Sequence, residues 1–239
     1  MSKTVKRGYS FNDEKEFTGE SVKKLYKAER DLYYLLNQGY NIKGASLFVG
    51  NHYLLSERQR LALTRAVSTE ENIKNRKNKE IKDNLEDSVV NIDGFNTIIT
   101  LEVALSDSLL IKCMDGTIRD LAGLRGTYRI IDKTELAIKL IGEKLEQYKV
   151  NKAKFYLDAP VSNSGNLKKK ILELLRDFSF EVEVENINNV DATLETLDNV
   201  VTSDAIILDK CKSWINLNRK IIEQNIENNF FIDFNYVLI

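Results

Sequence analysis

The sequence predicts an α/β fold: a mostly parallel sheet covered by helices on both faces, behind an all-helical N-terminal extension. From residue 88 onward, short apolar runs alternate with segments of helical spacing, as in strands joined by crossover helices. Before residue 70, the clearest apolar pattern has helical spacing. Residues 70–87, which lie between these regions, are nearly all charged or amide side chains. We therefore predict a helical extension over residues 1–86 and an α/β domain over residues 87–239.

The N-terminal extension is predicted to contain two helices and a third, less regular segment. Apolar residues at helical spacing predict the first helix over residues 21–38. Residues 42–53 carry two glycines and are predicted to form a loop or a short irregular element. Ser56-Glu57-Arg58-Gln59 matches a capping box and begins the next helix. Residues 70–87 are predicted to be an exposed helix or a linker.

The α/β domain is predicted to contain six strands and four helices. The predicted strands are short apolar runs, at residues 88–92, 109–113, 153–157, 180–184, 200–201 and 230–238. The predicted helices lie between them, at residues 97–105, 134–147, 167–175 and 212–226. This alternation favours parallel strands, whose crossover connections place helices on the faces of the sheet.

The composition is that of an ordinary globular protein, with 43% hydrophobic and 30% charged residues. No apolar run is long enough to span a bilayer, and no apolar h-region follows the basic N-terminus, so we expect a cytoplasmic protein. Cys113 and Cys211 are expected to be free, buried thiols. Residues 1–86 carry 17 Lys and Arg against 12 Asp and Glu, whereas residues 87–239 carry 18 against 24. This split fits a basic arm for a polyanion and an acidic site for cations, although solvated helix faces would also produce it.

Four aspartates follow or flank the predicted strands. They are Asp93, Asp158, Asp191 and Asp204. Because the carboxyl ends of parallel strands lie on one edge of a sheet, we expect these side chains to converge there. Clustered carboxylates repel one another unless a cation lies between them. The sequence therefore predicts a site of hard oxygen ligands that suits Mg²⁺ or Mn²⁺.

Two of these aspartates belong to short motifs. Asp93-Gly94-Phe95-Asn96 ends the first predicted strand, and Thr202-Ser203-Asp204 follows a late one. In each motif a polar neighbour can orient the carboxylate or contact a phosphate. The alternatives are an Asx turn at the first motif and a helix cap at the second.

These two motifs resemble those of the PIN-like (PIN/NYN) nuclease superfamily, over roughly residues 88–210. The resemblance implies a PIN-like sheet whose carboxylates hold one or two divalent ions and whose activity is phosphodiester cleavage. Asp93 and Asp204 match the first and last aspartates of the family, with Asn96 and Ser203 as their polar companions.

The remaining acids match the family less closely. Asp191 resembles the third acid, and Asp158 resembles the mid-sheet aspartate of the NYN branch. Glu102 is a looser match to the second acid. The whole chain also resembles a microbial family of unknown function that has an Arg-Gly-Tyr-Ser start and a helical front.

Arginines supply the predicted substrate contacts. Gly123-Leu124-Arg125-Gly126-Thr127-Tyr128-Arg129 combines glycines and arginines, so Arg125 and Arg129 could bind phosphate, unless the stretch is only a solvated loop. Arg58, Arg60 and Arg65 on one helix could follow a phosphate backbone, as could any basic surface helix.

Two other motifs carry less information about function. Asp115-Gly116-Thr117 resembles part of the haloacid dehalogenase motif, but Cys113 occupies the position of the nucleophile. Trp214 has the helical spacing of a core residue rather than of a base-stacking platform.

The sequence therefore favours a metal-dependent phosphodiesterase, a ribonuclease that binds RNA and has no membrane association. Two other hypotheses for the function stay open. One is a non-catalytic RNA- or protein-binding module on the same fold, and the other is a phosphate enzyme that acts on small molecules. The absence of GxGxxG and P-loop motifs weakens the second of these. The protein could form a homo-oligomer under any of these hypotheses.

Overall fold

The computed structural model describes residues 5–123, 126–227 and 230–234. Its main sheet has four parallel strands in the order β5-β4-β1-β6. These strands are β1 (Val89–Asp93), β4 (Lys152–Asp158), β5 (Glu181–Ile187) and β6 (Val200–Val201). The predicted α/β class with a mostly parallel sheet is confirmed.

A second sheet of three strands was not expected. Its strands are β2 (Leu110–Lys112), β3 (Ile118–Asp120) and β7 (Phe231–Asp233). β2 pairs antiparallel with β3 and parallel with β7. The strand predicted at residues 109–113 therefore exists but belongs to this second sheet. β3 lies between the strand predicted at residues 109–113 and the helix predicted at residues 134–147, where the sequence predicted no strand.

Helices surround both sheets. Those of the N-terminal region are α1 (Asp13–Glu16), α2 (Gly19–Asn37), α3 (Ile42–His52), α4 (Glu57–Ala66) and α5 (Glu70–Lys79). Those of the α/β region are α6 (Gly94–Ala104), α7 (Thr134–Gln147), α8 (Ser164–Leu175), α9 (Val190–Leu194), α10 (Ala205–Lys210) and α11 (Leu217–Asn225). Among the described residues, no helix is both long and apolar enough to cross a membrane.

Several helix boundaries differ from the sequence prediction. Residues 42–52, which were predicted as a loop or a short irregular element, form the helix α3, and the Asn41 side chain accepts a hydrogen bond from the Gly44 amide at its start. The helix predicted over residues 212–226 begins only at Leu217, and α10 precedes it. The predicted capping box is confirmed, because the Ser56 and Gln59 side chains each bond to the other's backbone.

Apolar side chains cover both faces of the main sheet. Ile92, Phe155 and Val201 pack on one face with α6, α7, α8 and α11. Tyr156 and Val200 pack on the other face with α9 and α10. Trp214 is fully buried in this second cluster, which confirms the prediction that it is a core residue.

The N-terminal helices share a separate core with the second sheet. Leu25, Leu32 and Leu63 of the helices pack with Ile111 and Phe234 of the second sheet and its end. The helical region is therefore joined to the rest of the protein through β2 and β7. The boundary between residues 86 and 87 stays a prediction.

The order of the strands reverses at β1. From β1 the chain moves to β4 and β5 on one side, and β6 then returns to the other side of β1. In open α/β sheets, such a reversal leaves a crevice at the carboxyl ends of the two strands that flank it. Asp93 ends β1 and Thr202 follows β6, so both motifs identified in the sequence lie at this crevice.

Candidate functional site

A cleft of about 770 Å³ lies at the carboxyl ends of the parallel strands. All four predicted acids line it: Asp93, Asp158, Asp191 and Asp204. The predicted polar companions Asn96 and Ser203 line it as well. Its remaining walls include residues of the N-terminal helices and of β3, among them Arg65, Asn72 and Asp120. We call this space the acidic cleft.

Asp93 is the most deeply buried of the four acids, with 7% of its surface exposed. The Thr202 hydroxyl donates a hydrogen bond of 2.8 Å to its Oδ2 atom. Burial, together with the negative charges of Asp204 and Asp191, raises the pKa of Asp93 to about 7, against the hydrogen bond from Thr202. The described side chains of the cleft therefore do not offset the cost of burying an ionised Asp93 beside two other carboxylates.

Gly94 brings Asp93 close to the neighbouring strand. A Cβ atom at Gly94 would lie 2.5 Å from Leu157 Cδ2 and 3.0 Å from the Tyr156 carbonyl oxygen. The glycine is therefore required by the close approach of α6 to β4.

Asp204 caps α10 and also lines the cleft. Its Oδ1 atom accepts hydrogen bonds from the amides of Ile206 at 2.7 Å and Ile207 at 3.3 Å. The helix cap that the sequence left open is therefore present, and it fixes the carboxylate at the cleft wall. Cap and ligand roles are compatible because a carboxylate has two oxygen atoms and about four acceptor positions.

Asn96 connects the two motifs. Its Oδ1 atom accepts hydrogen bonds from both the amide and the hydroxyl of Ser203, each at 2.9 Å. Since its oxygen is used in this way, the Asn96 amide nitrogen is the group left to donate into the cleft. The Ser203 hydroxyl thus holds the Asn96 side chain, and the predicted contacts of Asn96 and Ser203 with substrate stay predictions.

Asp158 and Asp191 lie nearer the mouth of the cleft. Partial burial, followed by the charge of Asp191, raises the pKa of Asp158. Partial burial and then the charges of Asp204 and Glu195 raise the pKa of Asp191, whereas Lys210 lowers it. The four predicted acids are thus linked by mutual repulsion.

Sequence reasoning missed Asp120 and Arg119, which β3 brings to the cleft. Asp120 is buried and accepts hydrogen bonds of 2.8 Å from the Thr100 hydroxyl and the Ala122 amide. Burial raises its pKa, against the positive charge of Arg65. The signal was the short stretch Ile118-Arg119-Asp120-Leu121, whose apolar ends indicate a brief strand.

One of the two arginines predicted in the glycine-rich stretch, Arg129, does not line the cleft. Arg129 is exposed and is not among the residues that line it, and its carbonyl accepts a hydrogen bond from Arg7. Arg125 lies outside the described residues.

Glu102 is not part of the acidic cleft. It belongs to α6 and is fully buried, and its carboxylate contacts Arg7 at 2.6 Å, the Tyr128 hydroxyl at 2.7 Å and the Thr134 hydroxyl. The looser match of Glu102 to the second family acid is therefore wrong for this structure, because its carboxylate anchors the N-terminal segment instead.

Of the three arginines on α4, only Arg65 lines the cleft. Arg58 pairs with Asp13 and donates a 2.7 Å hydrogen bond to the Gly8 carbonyl. Arg60 donates to the carbonyls of Leu55 and Gly50 at 2.9 and 2.7 Å. These contacts hold the helices together. Arg65 donates to the Asp120 carbonyl, and 34% of its side chain stays exposed.

The acids do not form a complete metal cage as they are placed. Within the described ranges, no three or more His, Cys, Asp or Glu side chains form a group that could hold a metal ion. Mg²⁺ is commonly bound through one or two carboxylates, with water and substrate phosphate completing its ligands. A closed site of protein ligands alone therefore does not fit the described residues, and the predicted divalent ion stays a prediction.

Two family models match the chain, one in the α/β region and one in the helical region. A family model described as "Domain of unknown function (DUF5616)" matches residues 82–220. The chain belongs to the DUF5616 family. A second model, "Protein of unknown function (DUF434)", matches residues 24–79, so the helical region is similar to that family. The acidic cleft of this DUF5616 protein is therefore lined from both matched regions.

A relative of this DUF5616 protein occurs in Methanocaldococcus jannaschii. It is named "Uncharacterized protein MJ0935" and is 40% identical over 186 residues, which cover 77% of this chain and 88% of the relative. No solved structure matches the chain. Neither of the two family descriptions nor the name of the relative states an activity.

Proposed function

We propose that the protein is a metal-dependent phosphodiesterase, a ribonuclease whose site is the acidic cleft. The observation that carries the proposal is the burial of Asp93 beside the like charges of Asp204 and Asp191. Such repulsion destabilises the fold unless a cation relieves it, so it indicates a functional site. The likeness to PIN-like nucleases supports the same conclusion from the motifs.

Asp93 and Asp204 would hold a Mg²⁺ or Mn²⁺ ion, with Asp158 and Asp191 acting through water at the mouth of the cleft. This assignment follows the burial of the four carboxylates and the preference of these ions for oxygen ligands. A bound ion supplies Lewis-acid polarisation of a phosphoryl oxygen and lowers the pKa of water. Because the protein ligands are few, we expect the ion to bind weakly until the substrate phosphate is present.

The chain itself supplies orientation and charge around the reacting phosphate. Thr202 fixes the Asp93 carboxylate, and Ser203 fixes the oxygen of Asn96. The Asn96 amide nitrogen can then donate to a phosphoryl oxygen. Asp191, which lies at the exposed mouth, can accept a proton from attacking water at a carboxylate oxygen.

Arg65 is the proposed contact for the RNA backbone. It lines the acidic cleft from α4, beside Asp120, and its partly exposed guanidinium can bind phosphate bidentately. The excess of basic residues over residues 1–86 would attract the same polyanion. The proposal places this activity in the cytoplasm, where the buried thiols Cys113 and Cys211 would stay reduced.

The arginine assignment is tested by charge removal. Arg65→Gln should weaken RNA binding and reduce the slope of log affinity against log salt by about one contact, that is by about 0.7 for a single strand. Lys169→Gln on α8 removes an equal charge at an exposed site outside the cleft lining and serves as the control. Equal binding by the two variants at every salt concentration would reject Arg65 as a contact.

Catalysis is tested with a labelled single-stranded RNA and Mn²⁺. Asp204→Asn should abolish cleavage while RNA stays bound, whereas Asp177→Asn, an exposed acid outside the cleft lining, should cleave like the parent. The lack of a complete metal cage favours the second candidate, a non-catalytic RNA- or protein-binding module. RNA binding by the parent without cleavage at any Mn²⁺ concentration would establish that candidate instead.

A further inference from the structure

Asp115 is the centre of a buried polar network that the proposed chemistry does not use. Its Oδ1 atom accepts from the Thr117 amide at 3.0 Å and the Thr117 hydroxyl at 2.6 Å. Its Oδ2 atom accepts from Arg76 at 2.7 Å and from Arg119 at 2.5 Å. Burial opposes ionisation, but Arg119 and Arg76 outweigh it and lower the pKa of Asp115 to about 2. Asp115 therefore holds two arginines in fixed positions.

Arg119 connects Asp115 to the second acidic motif. Its Nε atom donates a 2.6 Å hydrogen bond to the Ser203 carbonyl, and Nη1 donates to the Arg65 carbonyl. Ser203 lies between Thr202, which orients Asp93, and Asp204. The Arg119 guanidinium thus holds the backbone between Thr202, which orients Asp93, and Asp204.

Arg76 holds the other end of the same segment. It belongs to α5 in the helical region, and only 2% of its surface is exposed. Its guanidinium contacts both carboxylate oxygens of Asp209 on α10, at 2.6 and 2.9 Å. Since Asp204 caps α10, Arg76 fixes the helix whose first turn carries the proposed ligand.

We infer that Arg76, Asp115 and Arg119 are positioning residues, through which the helical region and β3 set the placement of Asp204 and Asp93. This inference rests on the proposed function. It also means that the site is completed by Arg76, which lies in the region similar to DUF434, and that the part matched by DUF5616 does not build it alone.

A network that only stabilised the fold would behave differently under conservative substitution. Lysine retains the positive charge but cannot form the forked contacts of a guanidinium. Arg119→Lys and Arg76→Lys should therefore keep the charge near Asp204 and lose the geometry. Arg58→Lys is the control, because Arg58 makes a forked pair with the buried carboxylate of Asp13 outside the cleft lining, although 21% of the Arg58 side chain is exposed.

The test compares these three variants of the full chain. We expect Arg119→Lys to lower kcat by about 10²-fold with little change in KM, because a displacement near 1 Å at a reacting centre has that effect. Arg76→Lys should act in the same direction, and both should lose the rise in Tm that Mn²⁺ gives the parent. Amide hydrogen exchange should become faster at Ser203 and Asp204 in both variants and stay unchanged there in Arg58→Lys.

The outcomes separate this inference from the proposed function. If all three variants lose stability alike, with parental kcat and parental exchange at Ser203 and Asp204, the network is purely structural and the inference is overturned. If the parent neither cleaves RNA nor responds to Mn²⁺, while exchange still increases in Arg119→Lys and Arg76→Lys, the positioning is upheld and the ribonuclease is rejected.

Discussion

Replacing Asp93 with asparagine should stabilise the metal-free protein at alkaline pH. Burial is the main reason that the folded protein raises the pKa of this carboxyl from 3.8 to about 7. The unfolded chain therefore releases its proton first as the pH rises, and folding stability falls between about pH 4 and pH 7. At 1.36 kcal/mol for each pKa unit, the loss is about 4 kcal/mol above pH 7, as an upper bound.

Asparagine removes this loss without removing the local structure. Its side-chain oxygen can still accept the hydrogen bond from Thr202, which is 2.8 Å long in the parent. We therefore expect Asp93→Asn to be more stable than the parent at pH 8 in EDTA, and to show a smaller fall in stability between pH 5 and pH 8.

Urea unfolding at these two pH values, with and without Mn²⁺, measures the effect. Millimolar Mn²⁺ should recover stability in the parent, because a ligand that binds only the folded state stabilises it, and it should do so much less in the variant. The reasoning would be refuted if Asp93→Asn were less stable than the parent at both pH values, or if both proteins showed the same pH dependence.

Two further substitutions test the packing around the site and in the helical region. Gly94→Ala should lower the free energy of unfolding by about 1–3 kcal/mol, because the new Cβ would overlap Leu157. Gly165→Ala is the control, since a Cβ there meets nothing within 4 Å, and it should not destabilise the protein. Thermal unfolding compares the two variants. Glu29 is fully buried, and neither carboxylate oxygen has a hydrogen-bond partner among the described residues. Burial raises its pKa to about 8, so Glu29→Met should gain about 1–3 kcal/mol at pH 9 and less at pH 5, whereas Glu20→Met at an exposed site should show no such difference.

The parallel sheet and its acidic edge could be predicted because their signals are local. The apolar runs at β1, β4 and β6 end at Asp93, Asp158 and Thr202, and strand ends of a parallel sheet meet at one edge. That geometry brings the predicted acids into one cleft without any knowledge of side-chain contacts.

The second sheet could not be predicted, because it depends on pairing between distant segments. β3 has only three residues, two of them charged. Arg119 and Asp120 are buried through contacts with distant segments, among them the helical region, α6 and the second motif. Residues 42–52 form a helix despite Gly44 and Gly50, because tertiary packing outweighs helix propensity. At Gly50 a Cβ would lie 2.6 Å from the Arg60 guanidinium, a contact invisible in the local sequence.

Diffraction from crystals soaked in Mn²⁺ with a short RNA carrying a non-hydrolysable linkage tests the central claim most directly. We expect an anomalous manganese peak in the acidic cleft, with Asp93 and Asp204 among its ligands and a phosphate oxygen beside it. A fully soaked crystal with no manganese peak in the cleft, or with a peak coordinated by neither of these aspartates, would contradict it.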